Sequence, residues 1–241
     1  MATANALTSR IVSVSAISSS DREEMWNLYR RFYSGSHHEL FERDLAQKDS
    51  LLLLQDAQGR IQGFSTISVG ITEFEGSTIR FVFSGDTIID RAHWGSQALA
   101  FTWLKYVGQL KRERPELPLF WFLIVKGHRT FRYLPAFAHE FYPHWERGTP
   151  ARIAALMKQL ASARFGEAFD DVSGVIRYRE SHGHLAEPFA EANEREAGRE
   201  DVSFFLRRNS GYRNGDELVC LCELTPENLR PLARRLFESA H

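Results

Sequence analysis

Residues 84–99 read SGDTIIDRAHWGSQAL, and they lead from a run of β-branched and aromatic residues into an amphipathic stripe. The first part has the composition of a strand, and apolar residues then recur at helical spacing, at Leu99, Trp103, Val107 and Leu110. The pattern predicts a strand, a short loop and a helix. The first turn of such a helix offers unpaired N–H groups and the positive end of its dipole, which suit a pyrophosphate. An ordinary strand-to-helix connection has the same pattern, so the flanking elements decide between the two interpretations.

The segments before this stretch predict one strand, two helices and a strand meander. Residues 10–15 alternate as a strand does, and Ser20-Asp21-Arg22-Glu23 has the form of a capping box at a helix start. A second short helix carries Leu40, Phe41 and Leu45. Further strands are predicted at residues 51–54, 61–71 and 78–89, with Gly59 and Gly76 in the turns between them. Such short glycine-containing turns predict antiparallel hairpins.

The segments after it predict a buried strand and then helices with shorter strands. The apolar run Leu119–Val125 is typical of a strand buried on both faces. Residues 129–141 predict a helix that Pro143 ends. The second half predicts a helix after Thr149-Pro150, strands within 172–178, 204–207 and 217–224, a solvated helix or mobile flap at 186–201, and a last helix after Thr225-Pro226.

Composition and charge exclude several classes of protein. The 241 residues carry 30 Lys and Arg against 31 Asp and Glu, a formal charge of −1, which argues against nucleic acid and anionic membranes as partners. Two cysteines, Cys220 and Cys222, indicate a reducing compartment. The first twenty residues lack the pattern of a secretory signal, and the longest apolar run is about a third of a membrane span. We therefore expect a cytoplasmic protein without a membrane span.

Motifs for other chemistries are weak or missing. The stretch from His139 to His144 is one residue longer than a zinc-protease motif and contains Pro143, so its two imidazoles would not share a helical face. Cys220 and Cys222 lie on one face of a predicted strand and fit a core role. The sequence contains no Gly-x-Ser-x-Gly elbow, no Gly-x-Gly-x-x-Gly and no Gly-x-x-x-x-Gly-Lys-Ser/Thr loop. We expect no metal site, no serine hydrolase and no dinucleotide or triphosphate site.

The order of elements over residues 10–143 resembles that of the GNAT (N-acetyltransferase) superfamily. Residues 86–95 resemble that family's fourth strand entering its pyrophosphate loop, usually Arg/Gln-x-x-Gly-x-Gly/Ala. Here Trp94 stands at the Arg/Gln position, Gln97 at the first Gly and Leu99 at the last Gly/Ala. A side chain at Gln97 is expected to crowd the phosphates. The resemblance implies an α/β fold with a mixed, mostly antiparallel central sheet, flanking helices and splayed central strands.

The resemblance also implies where an acyl-thioester donor binds. The co-substrate would be acyl-CoA, or else the phosphopantetheine of an acyl carrier protein, and no metal is implied. The backbone of Ile88 to Asp90 would bind the pantetheine arm, and the N–H groups of the loop would face the phosphates. The candidate donor-binding residues are Ile88, Ile89, Asp90, Trp94, Gly95, Ser96, Gln97, Ala98 and Lys126.

Two residues are candidates for proton transfer. The segment from Lys126 to Tyr133 keeps the spacing of the family's Asn-x-x-Ala-x-x-x-Tyr, with Lys126 in place of Asn. The resemblance implies that Tyr133 is the general acid near the leaving thiolate, and a plain core role is the alternative. Asp86 shares a strand face with Ile88 and is a candidate base for the amine, or else a hydrogen-bonded structural carboxylate. Glu73 and Glu75 are alternative bases.

The sequence therefore predicts an N-acyltransferase that moves an acyl group from a thioester to the amine of a small molecule or amino acid. The alternative is a catalytically silent acyl-thioester sensor or interaction module, which the substitutions at Trp94, Gln97 and Leu99 favour. Expected partners are the amine, an acyl carrier protein on a basic helix face (Lys105 to Arg114 with Lys126, Arg129 and Arg132), and a second copy of the chain. We predict a core over residues 1–145 and a C-terminal extension over 146–241 that completes the sheet and covers the substrate pocket, the two forming one compact unit.

Overall fold

The strands of the computed structural model, which describes residues 7–239, form one large sheet and one small pair. In chain order they are β1 (Thr8–Ser13), β2 (Tyr33–Ser34), β3 (Ser50–Gln55), β4 (Ile61–Phe74), β5 (Ser77–Ile89), β6 (Leu119–Val125), β7 (Phe169–Asp170), β8 (Val175–Ile176), β9 (His184–Leu185) and β10 (Glu217–Glu223).

Ten α-helical segments of very different length accompany these strands in the described chain. They are α1 (Ser19–Phe32), α2 (His38–Leu45), α3 (Ala98–Glu113), α4 (His128–Phe131), α5 (Tyr133–Phe137), α6 (Ala151–Phe165), α7 (Glu187–Ala190), α8 (Glu194–Ala197), α9 (Glu200–Arg208) and α10 (Pro231–Glu238). No helix among residues 7–239 is long and apolar enough to cross a membrane.

The large sheet has the strand order β1-β3-β4-β5-β6-β10-β8-β7, and β2 pairs separately with β9. Every neighbouring pair is antiparallel except β5 and β6, which run parallel. A parallel pair needs a crossover connection, and α3 provides it. The mixed, mostly antiparallel sheet flanked by helices that the sequence predicts is confirmed.

Strand β5 leaves its parallel neighbour halfway along its length. Pairing between β5 and β6 runs from Arg80↔Leu119 to Ser84↔Leu123 and then stops. On the other edge, Ser84 and Thr87 of β5 pair with Ile67 and Ser65 of β4, so Gly85 and Asp86 together face one residue, Thr66. Such a β-bulge bends the strand that carries the extra residue. The sheet therefore opens between β5 and β6, as the splayed strands of the prediction require.

The two faces of the sheet bury different helices because alternate residues of each strand point to opposite sides. Trp121 and Leu123 of β6 pack in the cluster that contains α3, α5 and α10, whereas Phe120 and Phe122 pack against α6. Helices α1 and α2 cover β3 and β4 on the same side as α6. The opening between β5 and β6 therefore connects the α3 side of the sheet with the side of α1, α2 and α6.

Several local predictions are wrong in their boundaries. Helix α1 is capped by Ser18, which accepts from the Asp21 N–H at 3.0 Å, and not by Ser20. Helix α6 begins at Ala151, so Pro150 occupies the N-cap position and not the first turn. Strand pairing covers only Val175–Ile176 of residues 172–178. The last helix begins at Pro231, several residues after Thr225-Pro226.

Two predictions are wrong in the type of element. Residues 129–141 form the short helices α4 and α5 and then extended chain, because Ala138 bridges to Leu229 and Tyr142 bridges to Leu221. The predicted strand at 204–207 lies within helix α9, where Val202 and Phe205 are buried three residues apart.

The segment 186–201 contains α7, α8 and the start of α9. Within it Ala190 and Asp201 are buried, so the segment is not the single solvated helix of the prediction.

Candidate active site

A cavity of about 800 Å³ occupies the opening between β5 and β6. Ile88 and Ile89 line it from β5, and Ile124 lines it from β6. The loop before α3, the start of α5, the end of α6 and the segment 178–189 complete its walls. It therefore extends through the sheet, with the α3 loop at one end and α1, α2 and α6 at the other.

The loop before α3 has free N–H groups at the first end of the cavity. Gly95 has a φ of 93°, a left-handed conformation that glycine adopts without steric cost. The Ala98 N–H is 3.4 Å from the Ser96 hydroxyl, whereas the N–H groups of Gly95, Gln97 and Leu99 have no acceptor within the described chain. Free N–H groups beside the positive end of a helix dipole suit an anion, so the binding of phosphates at this loop stays a prediction.

The large side chains of the loop bond to nearby backbone carbonyls, one at the end of β5 and one in the loop itself. The Trp94 indole N–H donates to the Ile89 carbonyl at 2.9 Å, and the Arg129 guanidinium carbon lies 5.0 Å from the centre of the Trp94 ring system. The Gln97 amide turns back toward the Gly95 carbonyl oxygen at 3.4 Å. Trp94 and Gln97 both line the cavity, so they shape this end of it.

Tyr133 begins α5 and lines the cavity. Its ring packs against Phe137, with 5.5 Å between the ring centres. Burial raises the pKa of the Tyr133 phenol, so the group is protonated at neutral pH. Among residues 7–239 no other group hydrogen-bonds to its hydroxyl. The phenol can therefore donate a proton to a molecule in the cavity.

Asp86 lies in the bulge of β5 and lines the same cavity. Burial raises the pKa of its carboxyl, although Lys126 and Lys48 partly oppose that effect. A carboxyl with a raised pKa is a better proton acceptor than an ordinary Asp. The position and the pKa of Asp86 both suit a general base.

A buried ion pair, which the sequence did not predict, lies beside Asp86. Lys126 Nζ is 3.3 Å from Glu217 Oε1, and the same ammonium donates to the His182 carbonyl at 3.0 Å. Burial lowers the pKa of Lys126, but Glu217, Tyr29 and Asp86 outweigh it and the net pKa is raised. Burial raises the pKa of Glu217 against the opposing effect of Lys126. One ammonium thus acts on two acids, the buried Glu217 and the half-buried Asp86.

Most predicted site residues meet at this cavity. Those that line it are Asp86, Ile88, Ile89, Trp94, Gly95, Ser96, Gln97, Lys126 and Tyr133. Asp90 and Ala98 do not. The Asp90 carboxylate is 2.7 Å from Arg31 and accepts from the Ala92 N–H at 2.9 Å, whereas Ala98 packs against the core.

Arg129 and Arg132 of the predicted basic face also line the cavity, whereas the other charged candidates lie elsewhere. Glu75 pairs with Arg152 at 2.8 Å at the far turn of the β4–β5 hairpin, and Glu73 accepts from the Thr78 hydroxyl there. Lys111 donates to the carbonyls of Pro115 and Leu117 at the C-terminal end of α3. This end is about 24 Å from the loop, at 1.5 Å per residue. No group of three or more His, Cys, Asp or Glu in the described chain is placed to hold a metal ion.

Comparisons with known proteins find likeness at the level of structure only. No family model matches the chain, and no curated protein matches it. An Escherichia coli GNAT family N-acetyltransferase (YhbS) in complex with CoA is similar at 17% identity and a TM-score of 0.41, over 64% of this chain and 82% of that one. Arabidopsis thaliana NAA60 in complex with acetyl-CoA is similar at 12% identity and a TM-score of 0.41, over 56% and 87%.

A third structure is a conserved Enterococcus faecalis protein of unknown function described as a probable N-acyltransferase. It is similar at 13% identity and a TM-score of 0.40, over 56% of this chain, and the match spans only 33% of that protein. At these values no residue role, donor or substrate carries over to the present chain. The mixed, mostly antiparallel sheet and the separation of β5 from β6 agree with the GNAT-like fold that the sequence predicts.

Proposed function

We propose that this chain is an N-acyltransferase that moves an acyl group from the thioester of coenzyme A to an amine. The observation that carries the proposal is the cavity between β5 and β6, with Tyr133 and Asp86 in its lining and free N–H groups at one end. A cleft between strands admits a thin, extended molecule. A thioester arm has that shape, with phosphates at one end and the reactive carbon at the other.

The donor would bind mainly to backbone groups. Within residues 7–239 the edge of β5 that faces β6 has no strand partner beyond Ser84. The peptide groups of this segment are therefore available to the amides of a pantetheine arm, apart from the Ile89 carbonyl, which accepts from the Trp94 indole. The N–H groups of Gly95, Gln97 and Leu99 would receive the phosphates. The side chains of Trp94 and Gln97 narrow this end. The donor would therefore contact the backbone of the loop and not these side chains.

The chemistry needs two proton transfers. The amine nitrogen attacks the carbonyl carbon, the C–N bond forms, and the C–S bond breaks to release the thiol. Asp86 would take the proton that the amine loses, directly or through a water molecule, and Tyr133 would give a proton to the departing sulfur. Amide and thiol are then the only products. The charges of Lys126 and Glu217 would keep the electrostatic field at Asp86 constant while the Asp86 carboxylate gains a proton.

A thiol-release assay with several acyl-CoA donors and a pool of amines tests the proposal. We expect turnover with the native chain and a fall in kcat of about 100-fold or more for Tyr133→Phe, the usual size of a lost general acid. Tyr106→Phe is the matched control, because Tyr106 lies on α3 outside the cavity.

Equal turnover in Tyr133→Phe and the native chain would remove Tyr133 from the mechanism. Tight binding of CoA without thiol release for any amine would favour the silent sensor over the enzyme.

A further inference from the structure

Two cations stand at the end of the cavity that is far from the α3 loop. They are Lys48, which follows α2, and Arg164, in the last turn of α6. Among residues 7–239, neither has a carboxylate within ion-pair distance. Lys48 Nζ donates to the Asp44 carbonyl oxygen at 2.9 Å, and Arg164 has no hydrogen-bond acceptor in the described chain.

The Arg164 guanidinium packs over an aromatic ring and makes no hydrogen bond within the described chain. Its guanidinium carbon lies 3.9 Å from the ring centre of Phe83, which is 2% exposed, and 6.0 Å from that of Phe165. Stacking on aromatic faces fixes the guanidinium plane and leaves its N–H groups at the edge. Burial lowers the pKa of Arg164, as expected for a cation that has lost water without gaining an anion. Its five N–H donors have no acceptor within residues 7–239.

Lys48 lies between Arg164 and the acids of the site. Its Cε is 3.0 Å from where a side chain on Gly85 would begin, which places it next to Asp86. Burial lowers the pKa of the Lys48 ammonium, Asp86 raises it and Arg164 lowers it further. Lys48 Nζ also lies 5.8 Å from the centre of the Phe83 ring that Arg164 stacks on.

The charges along this end of the cavity are therefore ordered. Asp86 and Glu217 lie toward the centre, and Lys48 and Arg164 lie beyond them. Asp44 also lines the cavity, and it interacts with both cations without forming an ion pair with either. A ligand with an amine toward Asp86 and an anion toward Arg164 matches this order, because each end would meet the opposite charge.

We propose that the acceptor is a carboxylate-bearing amine of the amino acid type, whose carboxylate is bound by Arg164 and Lys48. This assignment rests on the proposed function, since it names the acceptor of that reaction. A planar carboxylate accepts two parallel hydrogen bonds from a guanidinium, which is the geometry that a stacked Arg164 offers.

Calorimetric titration tests this subsite without a donor and without turnover. The probes are the standard amino acids and the amines that remain when their carboxyl groups are removed. We expect at least one amino acid to bind the native chain about 10-fold or more tightly than its decarboxylated partner, the usual effect of a charged hydrogen bond. Arg164→Met should remove that difference, and Arg164→Lys should restore part of it.

Arg152→Met is the matched control. Arg152 lies on the same helix and stacks on Phe74 at 5.5 Å, but it pairs with Glu75 outside the cavity, so its loss should leave amino acid binding unchanged. Equal binding of acids and decarboxylated amines would overturn the proposal, and so would no binding by either. Stronger binding of phosphoethanolamine than of any amino acid would overturn the carboxylate assignment.

Thiol release separates this proposal from the one on which it rests. Loss of kcat/KM in Arg164→Met for amino acids but not for decarboxylated amines supports both. Amino acid binding that depends on Arg164, without thiol release from any donor, supports the subsite and contradicts the acyltransferase. Turnover that is equally fast on amines without a carboxylate supports the acyltransferase and contradicts the subsite.

Discussion

Asp86 shows how one residue sets both the stability and the chemistry of the site. The bulge at Gly85 and Asp86 puts a carboxyl in the cavity, where burial raises its pKa. Lys126 stabilises the ionised form of Asp86, but the Lys126 ammonium forms its ion pair with Glu217, at 3.3 Å. An ionised Asp86 is therefore poorly compensated, which makes it reactive and costs stability.

We expect Asp86→Asn to stabilise the fold and to reduce turnover. Because the native pKa is above the unfolded pKa, the native state binds more protons between the two values, and stability falls as pH rises through that range. Because Asn carries no charge, the Asp86→Asn variant does not lose this stability as pH rises. At pH 7 the Tm should rise by about 2–4 °C, the usual effect of 1 kcal/mol in a chain of this size.

Two measurements check this expectation. The Tm difference between Asp86→Asn and the native chain should shrink below the ordinary Asp pKa, and the fall of kcat/KM at acid pH should have a midpoint above that pKa. Asp171→Asn, which removes an exposed ion pair with Lys158, is the control. A Tm difference that is independent of pH would contradict the account.

The residues of the site differ in how far the sequence predicts them. Asp86 and Tyr133 stand at recognisable positions in continuous segments, so the order of elements points to them. Lys48, Arg164 and Glu217 come from three distant segments, and no local spacing relates them. Glu217 carried one usable signal, a charged residue at the start of an apolar strand. Lys48 follows one ordinary helix, Arg164 lies in the last turn of another, and neither carried such a signal.

At the scale of elements, local turn chemistry was predictable and packing was not. Glu75 and Gly76 have φ values of 49° and 74°, the left-handed pair of a tight hairpin, so the β4–β5 turn follows from two residues. Residues 204–207 have the composition of a strand in a short window, but their tertiary neighbours select the helix. The break after α5 depends on bridges to Leu229 and Leu221, which lie about 80 to 90 residues away along the chain.

Helix α3 contains a glycine, Gly108, that is required by the packing of another helix against it. A Cβ at Gly108 would be 1.9 Å from the Phe237 carbonyl oxygen, because α10 crosses α3 at this point. Glycine costs about 1 kcal/mol in a helix interior relative to alanine, so helix propensity alone favours a substitution. The close approach of the two backbones explains why the sequence has glycine here.

We expect Gly108→Ala to lower the free energy of unfolding by about 1–3 kcal/mol, the usual cost of overpacking. Urea unfolding measures it, and Gly148→Ala is the control because nothing lies within 4 Å of a Cβ there. An increase in stability for Gly108→Ala would show that α10 does not pack on α3 at this distance.

At the scale of the whole molecule, the cavity belongs to both halves of the chain. Strand β10 pairs with β6 from Leu218↔Val125 to Glu223↔Phe120 and so covers an edge that the first half leaves open. The second half also supplies Arg164, Tyr178 and Glu217 to the cavity wall. The boundary that the sequence suggests between residues 145 and 146 therefore runs through the candidate site. The resemblance ends near Pro143, which is why the acceptor end could not be predicted from it.

The most direct measurement is a crystal structure of the chain with a thioether analogue of acyl-CoA, which cannot transfer its acyl group. We predict the pantetheine arm along β5 at Ile88 and Ile89, the phosphates on the N–H groups of Gly95 to Leu99, and the sulfur within about 3.5 Å of the Tyr133 hydroxyl. An analogue bound elsewhere would contradict the account. So would β5 and β6 paired along their full length with no room for the arm.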